Sequence, residues 1–213
     1  WELSGPYPAI LDDPVVGEAA RSVLAEGRAM LKRVIEERWL TASGTVGFWP
    51  ANAVGDDIVL WTDESRATPA LTWRNLRQQA ERPPGKPHQC LADFVAPVGT
   101  PDYVGAFAVT AGIGIERKLA EFTQAHDDYS GLMLKTIADR LAEAFAEWLH
   151  RRVRVELWGY AADEALANDA LIREAYRGIR PAPGYPACPD HAVKAPLFAL
   201  LDARSAGLSV TES

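Results

Sequence analysis

Residues 44–61 read GTVGFWPANAVGDDIVLW, and this stretch decides the fold class. Gly44 opens a change from helical to extended patterning. Val46, Phe48 and Trp49 read as a strand that Pro50 and the Gly55-Asp56-Asp57 turn bring to an end. Ile58, Val59, Leu60 and Trp61 read as a second strand. Two apolar runs around a Gly-Asp turn predict an antiparallel hairpin. Downstream, Leu71–Trp73 suits a third short strand. Tyr103–Thr110 suits a buried one, broken by Gly112 and Gly114. Arg82–Pro87 holds three prolines and one glycine and reads as a loop.

Helical patterning flanks these strands. Residues 1–12 are rich in Pro and Gly and are expected to be extended. Asp12-Asp13-Pro14 is a helix start, an Asp cap followed by Pro in the first turn. Val15, Ala19, Val23, Leu24, Leu31 and Ile35 then recur at helical spacing to about Trp39. Ile115–Gln124 reads as helix. Tyr129–Leu149 is the strongest helix, with Ile137, Leu141, Phe145, Trp148 and Leu149 as its apolar stripe. Asn168 is expected to cap a short helix to about Tyr176, and Lys194–Leu201 reads as a last one. The irregular alternation of strands and helices predicts an α+β fold, a single domain with an antiparallel sheet flanked by helices.

The chain has 213 residues, room for one large domain or two small ones. Its formal charge of −7 and its lack of a Lys/Arg cluster argue against nucleic acid as a partner. The densest basic stretch, His150-Arg151-Arg152-Val153-Arg154, sits at a helix end, where cations suit the dipole. Two cysteines, Cys90 and Cys188, do not make a disulfide scaffold and point to the cytoplasm. No apolar run reaches the length of a membrane span. The chain opens at Trp1 without an initiator Met, as expected of a piece of a longer polypeptide. A phosphate loop, a GxGxxG fingerprint and a GxSxG elbow are all missing from the sequence.

Four features could carry chemistry. The loop Arg177–His191 contains four prolines and two glycines. Its prolines fix backbone angles before a ligand arrives, which lowers the ordering cost of binding. Gly184 allows close approach, Arg180 offers a planar fork for a carboxylate, and Tyr185 offers a flat face. Together these suit a small zwitterion with an aromatic part; the plain alternative is a rigid connector. Asp139, Glu143 and Glu147 recur every four residues on one face of the long helix. They could meet an ammonium, a sulfonium or an imidazole, or form an ordinary solvated face. His126-Asp127-Asp128-Tyr129 precedes that helix, and capping accounts for both Asp residues. His88, Cys90, Cys188 and His191 could in principle hold zinc, but their spacing is irregular and no metal is expected.

Six blocks carry a resemblance. They are Phe48–Ile58, Leu91–Pro97, Tyr103–Thr110, His126–Tyr129, Ala138–Glu147 and Arg177–His191. In order and spacing they resemble the C-terminal activation domain of cobalamin-dependent methionine synthase, across essentially the whole chain. The resemblance implies an α+β fold with a central twisted antiparallel sheet, and binding of S-adenosylmethionine. It implies ligand contacts from Arg180, Gly184 and Tyr185, which match an Arg-x-x-x-Gly-Tyr motif. It also implies backbone contacts at Ala182 and a carboxylate contact from Glu143. Asp139 and Glu143 match positions that engage a histidine of the cobalamin-binding domain. Glu147 matches no such position and stays with the solvated face.

The family's domain begins before Trp1 and runs past Ser213. Residues 1–213 are therefore expected to be an activation domain truncated at both ends, with part of the pocket wall missing, weaker binding and an exposed sheet edge. In this family the cobalamin sits in a neighbouring domain, and a flavodoxin-like reductase is a further partner. The implied activity is support of reductive methylation of cob(II)alamin within methionine biosynthesis. The isolated domain is a part of that methyltransferase and is not expected to turn over alone. The rival reading is a docking module for the cobalamin domain and the reductase that binds no ligand itself.

Overall fold

The computed structural model describes residues 3–210. The expected domain limits at Trp1 and Ser213 lie outside the described residues. Among the described residues, helices and strands follow in the order α1 (Gly17–Glu36), β1 (Thr41–Val54), β2 (Asp57–Trp61), β3 (Pro69–Trp73), β4 (Asp102–Ile113), α2 (Ile115–Gln124), α3 (Asp128–Arg152), α4 (Asn168–Ile172) and α5 (Lys194–Leu200). The strands form one sheet in the order β3-β2-β1-β4. This is the expected α+β fold. The chain clusters into two compact units, one from residues up to Ala42 with Thr110–Phe145, the other from Ser43–Val109 with the residues from Ala146 on.

In the first unit, α1 starts at Gly17, later than the expected Asp cap with Pro14 in the first turn, and its cap position Val16 has no side-chain bond; Asp13 instead closes the turn before the helix. Its carboxylate accepts from the Val15 and Val16 N–H groups at 2.8 and 2.9 Å. These bonds hold its pKa below the usual carboxylate value. The segment before it is not wholly extended, because Ala9–Asp12 makes a short 3₁₀ turn. Helix α1 keeps the expected period but turns a different face inward. Gly17, Ala20, Met30 and Val34 are buried, while Val15 and Ile35 are exposed. Met30 and Val34 pack with Trp39, Met133 and Leu134. Trp39 lies beyond the helix. Its indole N–H donates to Glu37 at 2.7 Å, and Lys118 stands over its ring at 4.3 Å. α3 turns its expected face inward, with Trp148 as the exception. Met133, Leu134, Ala138 and Leu149 are buried, Ile137 and Leu141 pack at the margin, and Trp148 is 51% exposed.

The second unit is built on the sheet. Gly55, with φ 62°, and Asp56 form a two-residue turn, and Ala51↔Leu60 through Val54↔Asp57 pair antiparallel. β1 runs through Pro50 instead of stopping there. The β1–β2 register begins at Ala51, so Pro50 owes β2 no N–H. Gly112 likewise lies within β4. β3 pairs antiparallel with β2. One face of this sheet buries Ala51, Ile58, Leu60 and Trp73 together with Cys90, Leu91, Cys188, Val193 and Leu197. Cys188 thus ties the Pro-rich loop to the sheet's own core. Asn52 is buried and fully used. Its amide donates to the carbonyls of Ala96, Pro97 and Thr100, and its oxygen accepts from Trp61 and Arg66.

The basic stretch after α3 does more than meet a helix dipole. Val153–Leu157 widens into a π turn, and Arg154 within it is wholly buried. Its guanidinium forks onto the Glu164 carboxylate at 2.7 and 2.6 Å, and its third nitrogen lies 2.7 Å from His150 Nδ1. The same guanidinium stands 4.1 Å over the Tyr176 ring, and His150 meets that ring edge-on at 4.9 Å. Asn168 is the first residue of α4 and no cap, and α4 ends at Ile172. Among the described residues no helix is long and apolar enough to cross a membrane.

Two consequences are measurable. Glu164→Gln leaves the Arg154 charge buried without its counterion, a loss of about 3 kcal/mol. Thermal unfolding should fall by roughly 6–12 °C; an unchanged midpoint would show that the pair carries little. His150 is pushed from 6.5 down to about 4 by burial first, then by the Arg154 and Arg180 charges. Below pH 6.5 the unfolded chain takes a proton that the folded protein refuses until about pH 4. Stability is therefore full above that window and falls as pH drops through it, by at most ~1.4 kcal/mol per pH unit. Denaturant melts should show a shallower fall between pH 6.5 and 4.5 in His150→Gln, whereas an identical slope would assign the effect to other groups.

Candidate functional site

The Arg177–His191 loop leaves the Tyr176 ring and ends at the sheet core. At its start, Arg177 donates to the Tyr160 carbonyl at 3.2 Å. At its centre the chain folds back on itself. Tyr185 N–H donates to the Ala182 carbonyl at 3.0 Å, Gly184 N–H to the Cys188 carbonyl at 2.8 Å, and Cys188 N–H to the Tyr185 carbonyl at 2.9 Å. The alternating prolines have no N–H to satisfy, so these few bonds suffice to close the turn. Gly184 has φ 103°, and a Cβ there would come within 2.8 Å of the His191 ring. Both facts demand glycine at this position. The turn buries Cys188 and leaves Tyr185 59% exposed. Burial raises the Cys188 thiol pKa, so that group is an inert anchor.

Arg180, Ala182, Gly184 and Tyr185 therefore lie on one stiff turn. Asp139 and Glu143 are both exposed on α3, in the first unit. Sequence reasoning missed Glu147. It is no member of a solvated face, since its carboxylate forms an ion pair with Arg180. The pair is only partly accessible, with the two side chains 23% and 36% exposed. Arg180 also engages the Tyr176 hydroxyl, whose pKa burial raises. Two buried atoms of the ion pair have no hydrogen-bond partner, Nε of Arg180 and Oε2 of Glu147. The only signal in the sequence was Glu147's place as third carboxylate in a four-residue series. Its partner lies 33 residues further on.

His88, Cys90, Cys188 and His191 do not gather into a metal site. His88 Nδ1 is bonded to the Gln78 carbonyl at 2.8 Å, and the Cys90 thiol reaches the Asp56 carbonyl at 3.4 Å. Among the described residues no three His, Cys, Asp or Glu side chains converge as metal donors. An open hollow of about 280 Å³ lies nearby, lined by Tyr160, Glu164, Leu166, Tyr176 and Arg177. It shares Tyr176 with the surroundings of Arg180.

What this arrangement can do is hold a small molecule by charge, backbone and one aromatic face. The model of the vitamin B12-dependent methionine synthase activation domain matches residues 1–213. A crystal structure of the MetH reactivation domain bound to AdoHcy is 50% identical in sequence, with a TM-score of 0.91. That match covers 100% of this chain and 66% of the other, so the chain spans just under two thirds of its relative's length. The chain belongs to the family of activation domains of vitamin B12-dependent methionine synthase.

Proposed function

We propose that this chain binds S-adenosylmethionine on the Arg180–Tyr185 turn and presents its methyl group for the reductive methylation of cob(II)alamin. The observation that carries this reading is a guanidinium set beside a proline-stiffened turn, in a chain half identical over its full length to a reactivation domain bound to AdoHcy. AdoHcy is S-adenosylmethionine without its transferable methyl. A cobalamin held by a neighbouring domain would supply, once reduced, the nucleophile. This chain's own work is to bind and to aim.

Arg180 is assigned to the carboxylate of the ligand's amino-acid end, where its planar fork fits. Glu143 is assigned to the ligand's polar end. Ala182 offers backbone contacts, Gly184 allows the ligand to approach the turn closely, and Tyr185 supplies a flat apolar face. Asp139 and Glu143, exposed together on α3, are assigned to a histidine of the cobalamin-binding domain. A flavodoxin-like reductase completes the set of partners, and the cytoplasm is the compartment in which two unpaired thiols persist. The sulfonium already activates the methyl group, so the protein's share of the rate is alignment at near-attack distance. Taken alone, the domain is not expected to turn over.

Calorimetric titration with S-adenosylhomocysteine should give saturable one-to-one binding. Arg180→Ala should weaken it by roughly 10- to 100-fold, the cost of losing a charge-assisted fork. Unchanged affinity would remove Arg180 from the site, and no uptake by folded protein would favour the docking-module reading. Gly184→Ala forces the turn away from the His191 ring. It should lower ligand affinity several-fold while the melting temperature shifts by only a few degrees, an estimate from the usual cost of a strained φ. Wild-type affinity in that variant would show that the turn's shape is not read.

A further inference from the structure

We propose that Glu147 reads the α-ammonium of the ligand, so that the Arg180–Glu147 pair selects a zwitterionic amino-acid end over a simple carboxylate. The inference rests on the reading of the Arg180 turn as the S-adenosylmethionine site and adds a residue and a selectivity to it.

Arg180 does not face a ligand as a bare cation. Glu147, one of the last residues of α3, already holds it in an ion pair. A ligand carrying only a carboxylate would meet a nearly neutral pair and would have to compete with Glu147 for the same guanidinium. A ligand carrying both charges meets a complementary pair, its carboxylate on the guanidinium and its ammonium on the Glu147 carboxylate. No charge is then left without a partner, which is the condition for placing ions in a partly buried site. The open valences point the same way. Arg180 Nε is a donor and Glu147 Oε2 an acceptor, both buried and both without a partner. A carboxylate needs the first kind of atom and an ammonium the second. Leaving such atoms unmatched is costly, so the pair stands ready to rearrange around a ligand that satisfies both. The groups around it cannot take over either role. His150 is neutral and its Nδ1 lies against Arg154, and the Tyr176 hydroxyl faces Arg180.

The test compares S-adenosylhomocysteine with its analogue in which hydrogen replaces the α-amino group. Both are titrated into the wild-type chain, Glu147→Gln, Glu147→Asp and Glu143→Gln, with melting temperatures recorded alongside. The wild type should prefer the amino compound by about tenfold or more, the lower end of coupling between close charges across an interface. In Glu147→Gln that preference should collapse towards unity, with the loss falling on the amino compound. Glu147→Asp keeps the charge and should restore part of the preference, which separates charge reading from loss of packing. A preference intact in Glu147→Gln, or lost in Glu143→Gln alone, overturns the assignment while leaving the ligand site standing. Tighter binding of both compounds in Glu147→Gln also overturns it, because Glu147 would then be a competitor only. Failure of the folded wild type to bind either compound overturns the site itself, and this inference with it.

Discussion

A guanidinium with no contact with solvent sets the terms for the second unit. Arg154 is buried in a π-widened turn after α3, and its charge cannot stay there unpaired. Glu164 answers the charge with both oxygens, His150 takes the remaining nitrogen, and the Tyr176 face covers the guanidinium. Three stretches of chain are fixed by this one cation: the end of α3, the 160s segment and the approach to the Pro-rich loop. The loop's far end is fixed separately, by Cys188 in the sheet core. A segment clamped at both ends and stiffened by prolines has little freedom left to lose when a ligand arrives. The buried pair is weak evidence for stability as such, since an apolar replacement of both partners could do as well. What it fixes is Tyr176, and through Tyr176 the start of the Pro-rich loop.

The hairpin and the helices were legible because their signals are local. A glycine in the left-handed region between two apolar runs admits few alternatives to a tight turn, and α2 begins just after Gly114, as its spacing indicates. The inward face of α3 was legible apart from Trp148, whereas that of α1 was legible in period but not in phase. Which apolar stripe is buried depends on the partner surface, and on α1 a stripe with Ile35 in it looks as good on paper as one with Val34. Pro50 was misread for a related reason. A proline interrupts a strand only where a neighbour needs its N–H, and the register that decides this is set by the turn at Gly55.

Ionic partners were the least legible part. Arg154 and Glu164 are ten residues apart with a π turn between them, and Arg180 and Glu147 are 33 apart. Composition and spacing assign such residues to a solvated face or a helix end, because that is where most Arg and Glu belong. The resemblance to a family supplied Arg180, Ala182, Gly184 and Tyr185, all on one short turn. It could not supply Glu147, whose pairing with Arg180 exists only once the end of α3 and the loop are folded together within the second unit.

Two titratable groups beside Arg180, His150 and Tyr176, share one property that bears on mechanism. His150 is held neutral with its Nδ1 committed to Arg154, and the Tyr176 hydroxyl is raised by burial. Neither of these is poised to exchange a proton near neutral pH. A site meant for general acid–base chemistry is tuned the other way, with a pKa brought towards the working pH. Transfer of a methyl group from a sulfonium asks for no proton at all. It asks for fixed charges and a fixed backbone, since a displacement is sensitive to alignment and tolerates little slack. Groups locked in one protonation state give a field that does not drift with pH or with the arrival of a partner. The clamped loop, the committed histidine and the paired guanidinium supply fixed geometry of that kind.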